Sequence, residues 1–413
     1  MERRFNFQYA MVHGTYWMYY GVLSSFSSVF LLARGFTNSQ IGMIIALGNI
    51  IAVIVQPLLA DFTDRMRRTA VFTVSAAMTL LLMGFTVPLI MLRGNRVLIA
   101  CCYVGAFAVM MTLQPFCNAL NRMLEETGAT INFGLCRSLG SLFYAVLVYI
   151  LGIMTVKRGE SIIQPAGIVI LAALFITFIV MRAGYSGATD RGGEPVKAAG
   201  RDAGGNIGIR QFASRHRMFI AVCAGTLGVY VANSIMNTYM AQITANAGGN
   251  SRDLGTVFSV LALLEIPTLI FFNKIHKRFP CGKLLKFSGA AFVVWIGICA
   301  LARNIAAIIA AQFIQPFALA LFLPSMIAFI DDSMDRSEAV KGHALFVTMV
   351  TAASIFASLV GGLILDRMGV KPLLTAGTVV AAAGAAIIAL TIDKAAAESA
   401  GERKKGKQAD GTV

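Results

Sequence analysis

The sequence predicts an all-α, polytopic membrane bundle of twelve transmembrane helices arranged as two six-helix halves. Three observations predict it. The 413 residues are 57% hydrophobic, 13% charged and have a mean hydropathy of +0.73, whereas soluble domains carry roughly 45–50% apolar residues. Apolar runs of about 20 residues, the length that crosses a ~30 Å hydrocarbon layer, recur from one end of the chain to the other. Runs such as IGMIIALGNIIAVIVQPLLA (41–60) also lack the period of two of a barrel strand; with no water in lipid to satisfy the backbone, only helices then remain.

The spans follow in order. MERRFNF, a positive flank with no small-residue cleavage site behind it, marks 8–33 as a retained first helix. Glycine, proline or charge clusters then separate 40–60, 70–92, 96–118, 133–156 and 162–182. A second set covers 217–243, 253–273, 284–302, 305–329, 342–365 and 372–392. Residues 1–182 and 217–392 are therefore the two halves. Between them, 183–216 is glycine-rich, charged and without apolar period, so a flexible linker is expected. The polar tail, 393–413, ends ERKKGKQADGTV and is expected to be disordered.

The formal charge of +15 would suggest nucleic acid for a soluble protein, but here the charges gather in short turns between apolar runs. With both termini cytoplasmic, inside segments hold roughly 25 Lys and Arg against about 9 outside, which sets orientation by the positive-inside rule. An inner-membrane, multi-pass monomer with no nucleic-acid partner is the expectation. The seven cysteines lie mostly inside spans and show no disulfide or metal-ligand spacing, so neither metal nor cofactor is expected.

The two sets resemble each other at their starts. GTYWMYYG (14–21) parallels GTLGVYVA (225–232), and TNSQIG (37–42) parallels GNSRDLG (249–255). Internal duplication in a polytopic bundle is the mark of carriers whose halves rock about a midplane site.

On these features the chain resembles the major facilitator superfamily over essentially its whole length. The superfamily signature in the turn between helices 2 and 3, Gly-x-x-x-Asp-Arg-x-Gly-Arg-Arg, is matched here by Ala60, Asp64, Arg65, Arg67 and Arg68 within ADFTDRMRRTAV, with both glycines replaced. GGLILDRMGVK (361–371) matches the pattern more closely and holds Asp366 and Arg367. The resemblance implies a gating motif at Asp64, Arg65, Arg68, Asp366 and Arg367; a solvated, orientation-setting loop is the alternative. Within the superfamily, NFGLCRSLGS (132–141) and LLEIPTLIFFNKI (263–275) are similar to the lactose, nucleoside and phenylpropionate proton symporters. That branch implies uptake of a small polar solute, a sugar, nucleoside or aromatic acid, together with protons. Asn118 and Gln315 stand where some relatives carry an acid and a histidine, so a lactose-type proton relay is not expected.

An ionised group in hydrocarbon normally faces a cavity or a partner, and two such groups lie clearly inside predicted spans, Arg137 and Glu265. Their depths allow an ion pair across the halves. Glu265 is expected to exchange a proton, with Arg137 binding substrate or the freed carboxylate; a static salt bridge is the alternative. Thr226, Tyr230, Asn233 and Asn237 follow i, i+4, i+7 and i+11, one helical face, and are expected to line the cavity. Tyr16 and Tyr20, Gln312 and Gln315, and Asn118 are further cavity candidates, with helix packing or interhelical hydrogen bonds as the alternative.

Other classes are weaker. DDSMD (331–335) has the form of a prenyl-diphosphate magnesium motif but lacks a second acidic cluster. GYSG (184–187) lies in the linker, and HExxH is absent. An efflux carrier of the same fold and a channel or receptor remain as alternatives to proton-coupled uptake.

Overall fold

A computed structural model describes residues 2–64, 69–92, 94–125, 127–189 and 209–410. All regular structure among them is helical. The first crossing is α1 (Glu2–Tyr20), a π-helical segment (Gly21–Ser25) and α2 (Ser27–Ala33). Then come α3 (Asn38–Asp64), α4 (Ala70–Met91), α5 (Arg96–Glu125), α6 (Phe133–Arg158) and α7 (Ile163–Thr189). A short α8 (Ile209–Arg215) precedes the second half: α9 (Arg217–Asn246), α10 (Ser251–Arg278) and α11 (Cys281–Leu301). Its fourth crossing joins α12 (Ile305–Ala311), a π-helical segment (Pro316–Ala320) and α13 (Leu321–Ser333), and α14 (Arg336–Met368) and α15 (Val370–Asp410) complete it. Among the described residues eleven helical stretches, the broken Ile305–Ser333 included, are long and apolar enough to cross a membrane, and the broken first crossing makes twelve. With an even number of crossings, both chain ends lie on one face of the bundle, here the terminal face; the opposite one is the far face.

Helix ends are fixed by local chemistry. Asn250 and Asp253 form a reciprocal capping box at the start of α10, and Asn132 and Asn304 cap α6 and α12. Gly159 (φ 79°) and Gly369 (φ 87°) end α6 and α14 in the left-handed region that side chains avoid. On the terminal face Thr130 donates its backbone N–H to Glu2, holding that carboxyl below the usual carboxylate range.

Two departures from the sequence expectation concern the segments outside the halves. The linker is expected over 183–216, yet α7 continues through 183–189 and α8 occupies 209–215; residues 190–208 lie outside the described ones. The tail is expected to be disordered, but α15 carries on to Asp410. Residues 394–405, KAAAESAGERKK, are rich in Ala, Glu, Lys and Arg, whose high helix propensity lets a helix run on from the last span.

The halves meet through α6 running along α10 and α3 along α14. Glycine allows the first of these: a Cβ on Gly152 of α6 would lie 2.5 Å from the Ser251 carbonyl oxygen of α10. Small residues at a crossing bring backbones close, as membrane helices require for dispersion contact. This seam lies at the far-face ends of both helices. There, too, Ser28 Oγ donates to the Thr238 carbonyl at 2.9 Å and Gln242 Nε2 to Asn38 Oδ1 at 2.7 Å, each bond crossing between halves. The far face is therefore closed, and the space between the halves widens toward the terminal face.

Candidate functional site

That space is a cleft of two adjoining chambers. The inner one, about 180 Å³, is lined on one side by Trp17, Tyr20, Arg137, Ser141 and Tyr144, and on the other by Asn233, Asn237, Leu261, Glu265 and Gln315. The larger, about 530 Å³, shares Tyr20, Asn233 and Asn237 with it and adds Asn49, Gln56, Gln114, Asn118 and Tyr230.

Arg137 enters from α6, where it, Ser141 and Tyr144 follow i, i+4 and i+7 and so share a face. Its guanidinium carbon lies 4.1 Å from the centroid of the Trp17 ring, and Nη1 donates to Ser141 Oγ at 3.2 Å. Glu265, half-buried on α10, accepts a hydrogen bond of 2.6 Å from Gln315 Nε2. Both charged groups line one cavity, but no Arg137–Glu265 ion pair forms within 4 Å among the described residues; each group has a separate polar partner. Depth along each helix allowed the pair; the side chains instead reach Ser141 and Gln315 within their own halves.

Helix geometry is irregular beside the chamber in both halves. Tyr20 immediately precedes the π-helical Gly21–Ser25, and Gln315 immediately precedes the π-helical Pro316–Ala320. Such segments recur at functional sites, and broken helices are tolerated in a bilayer where they line a cavity. The wall also carries unmet hydrogen-bonding capacity: Tyr230 Oη, Asn233 Oδ1 and Gln315 Oε1 are buried without a protein partner. Buried polar atoms are almost always satisfied, so such a cluster marks where a polar solute or water binds.

Of the residues that the sequence assigns to the cavity, Tyr20, Asn118, Tyr230, Asn233, Asn237 and Gln315 line it. Three do not. Tyr16 is buried and donates its hydroxyl to the Met110 carbonyl of α5 at 3.1 Å. Thr226 is buried against its own helix, bonding the Val222 carbonyl at 3.0 Å. Gln312 accepts from Trp295 Nε1 at 3.3 Å inside the second half. In each case the helical period gives the right face but not the depth at which the cleft begins and ends. Conversely, the sequence reading does not include Ser141, Tyr144 and Gln56, although the i, i+4, i+7 stripe from Arg137 is as visible as the Thr226–Asn237 stripe on α9.

The gating candidates divide. Asp64 ends α3, its side chain and Arg65 and Arg68 lying outside the described residues. Asp366, near the end of α14, accepts from the Asn38 backbone N–H (3.0 Å), Asn38 Nδ2 (2.8 Å), the Ser39 backbone N–H (2.7 Å) and Ser39 Oγ (2.5 Å). Its carboxylate thus occupies the N-terminus of α3 in the other half, where free N–H groups and the helix dipole favour negative charge. Arg367 is exposed at the same end.

A family model described as the MFS_1 like family matches residues 9–376. Over 342 residues the chain is 23% identical to the "Uncharacterized transporter YwbF" of Bacillus subtilis (strain 168), covering 81% of this chain and 80% of that one. Two crystal structures share the fold. One is the nucleoside transporter NupG (TM-score 0.70, 13% identity, 94% of this chain and 98% of that one), the other a point mutant of the same protein (0.72, 12%, 95% and 99%). The geometry and these likenesses agree: the chain belongs to the MFS_1 like family and is a multi-pass membrane transporter with that fold, not an enzyme.

Proposed function

We propose that the protein is a proton-coupled symporter that takes up a small polar solute with a flat ring, of the nucleoside class, by alternating access. It acts as a monomer in the inner membrane with both termini in the cytoplasm, the halves being 1–182 and 217–392. The observation that carries this reading is the inner chamber itself. It sets an aromatic pair, Trp17 and Tyr20, opposite the amides Asn233, Asn237 and Gln315 and the carboxyl of Glu265. Flat rings stack a base, and amides with unmet hydrogen-bonding capacity read its edge and the hydroxyls of a sugar. The fold's likeness to a nucleoside transporter points the same way.

Glu265 is the proton carrier in this account, and Gln315 reports its state to the second half's broken span. A carboxyl buried between moving halves exchanges a proton with whichever side the cleft faces. Each coupled proton contributes about 2.3 kcal/mol per 100 mV, enough to concentrate a neutral solute. Asp366 on the N-terminus of α3 holds the far face shut, and Asp64, Arg65 and Arg68, whose side chains lie outside the described residues, are the gating candidates for the opposite state.

One observation favours a second substrate class. Arg137 has no carboxylate partner within 4 Å among the described residues, so its guanidinium is available to an aromatic acid. Uptake of radiolabelled nucleosides, sugars and aromatic carboxylates into cells, with and without a protonophore, separates the readings. Saturable, protonophore-sensitive nucleoside uptake is expected; uptake of carboxylates alone would select the second.

A further inference from the structure

On the terminal face of the second half, three metal-ligating side chains from three helices converge. His276 lies in the last turn of α10, Cys281 is the first residue of α11, and Asp332 is near the end of α13. Each can present one ligand atom such that all three lie within 4.8 Å of one another. Cys281 Sγ is 3.3 Å from His276 Nδ1 and 3.9 Å from Asp332 Oδ2, and His276 Nε2 is 3.7 Å from the same oxygen. From these we infer a binding site for a borderline-soft divalent metal ion of the zinc type, holding together the terminal-face ends of three spans.

The spacing suits that chemistry. Ligands at about 2.0–2.3 Å in a tetrahedron stand roughly 3.5 Å apart; taken through one imidazole nitrogen, the three ligand atoms lie within 4.8 Å of one another, so side-chain rotation about the exposed Asp332 closes the set onto an ion. One nitrogen, one sulfur and one carboxylate select zinc, cobalt or nickel over magnesium or calcium, which demand several oxygens. The surrounding Lys274, Lys277, Arg278 and Lys283 weigh further against a purely electrostatic site, whereas covalent bonding to thiolate does not depend on field alone. The thiol is buried while the imidazole is 31% and the carboxylate 65% exposed, so the ion enters from water and keeps an open fourth position for it. The Phe272 ring stacks on His276 at an interplanar angle of 4°, fixing the imidazole. On binding, the Cys281 thiol releases its proton to solvent.

The consequence is regulatory. α10 carries Glu265 and the crossing that ends in α13 carries Gln315, so a metal joining their terminal ends restrains the pair at the chamber. No spacing motif announces this set, because His276 and Cys281 are near in the chain but the third ligand, Asp332, ends the crossing that follows α11.

The test uses cobalt(II) as probe on the full-length, chelator-stripped protein in detergent. One cobalt per chain is expected, with a thiolate-to-cobalt charge-transfer band that zinc abolishes by displacement. Cys281→Ser removes the band, and His276→Gln and Asp332→Asn weaken affinity by more than about 100-fold, since even outer-shell partners are worth about 10–100-fold. Cys101→Ser, in the first half, leaves the band intact. Absence of the band at saturating cobalt, or its persistence in Cys281→Ser, overturns the site. A monodisperse size-exclusion profile establishes that each variant is folded, and His276→Gln decides the matter should Cys281→Ser not be. The readout is independent of any substrate.

Discussion

Gln315 Nε2 lies 2.6 Å from Glu265 Oε1, linking α10 to the residue at which the second half's broken crossing becomes π-helical. A hydrogen bond to a charged or chargeable carboxyl contributes about 1.5–3 kcal/mol, and its loss leaves the carboxyl without its side-chain partner. Gln315→Ala is therefore expected to reduce proton-driven uptake by roughly 10-fold or more, measured as initial rates in proteoliposomes with an imposed proton gradient. Unchanged rates would remove Gln315 from the coupling machinery.

Arg137 is held by the Trp17 face and Ser141 rather than by an acid. Lysine keeps the charge but not the planar fork or the ring stacking, so Arg137→Lys is not a conservative change. We expect substrate affinity to fall by about 10-fold, as the planar fork is lost and the stacked ring contact, worth roughly 0.5–2 kcal/mol, is weakened. Equilibrium binding of radiolabelled substrate checks this; wild-type affinity in the lysine variant would mean that charge alone suffices.

Asp366 caps α3 with four hydrogen bonds, joining the halves at the far face. A capping carboxylate is worth about 0.5–2 kcal/mol. Asp366→Ala should move the equilibrium toward the state open at the far face by up to roughly 30-fold. Faster labelling of a cysteine placed at Ser234, which lines the larger chamber, in a cysteine-depleted background, by an impermeant reagent added from the far side is the expected sign. Equal labelling rates would make the cap a static helix end.

Much of the architecture was legible in the sequence, because hydrocarbon thickness imposes a length on every crossing and charge has nowhere to go but the turns. The two charges within the spans stand out for the same reason: Arg137 and Glu265 interrupt otherwise apolar helices. What the sequence withheld follows from its one-dimensional view. Tyr16 and Tyr20 are one turn apart, yet one bonds the Met110 carbonyl and the other lines the cleft. Gly21–Ser25 gives no proline or charge to announce a π-helical segment, whereas Pro316 sits at the start of its counterpart. The Asp366 cap joins residues more than three hundred positions apart, and nothing local in Asn38 or Ser39 announces a carboxylate from the other half.

The orientation has a direct check. Single cysteines at residues 3, 192 and 412 should all be protected from an impermeant reagent in intact cells and react after lysis, whereas a cysteine at the exposed Ser161 should react without lysis. Labelling of residue 192 from outside would break the twofold arrangement of halves on which the cleft depends.

The central claim is that Glu265 couples proton movement to a solute bound between the halves. Wild-type protein and Glu265→Gln, reconstituted in proteoliposomes, should be compared for counterflow and for uphill accumulation under an inward proton gradient. The account predicts that the variant exchanges solute at near wild-type rates but accumulates none, because glutamine keeps the hydrogen bond and cannot carry the proton. Accumulation by Glu265→Gln equal to wild type would contradict it.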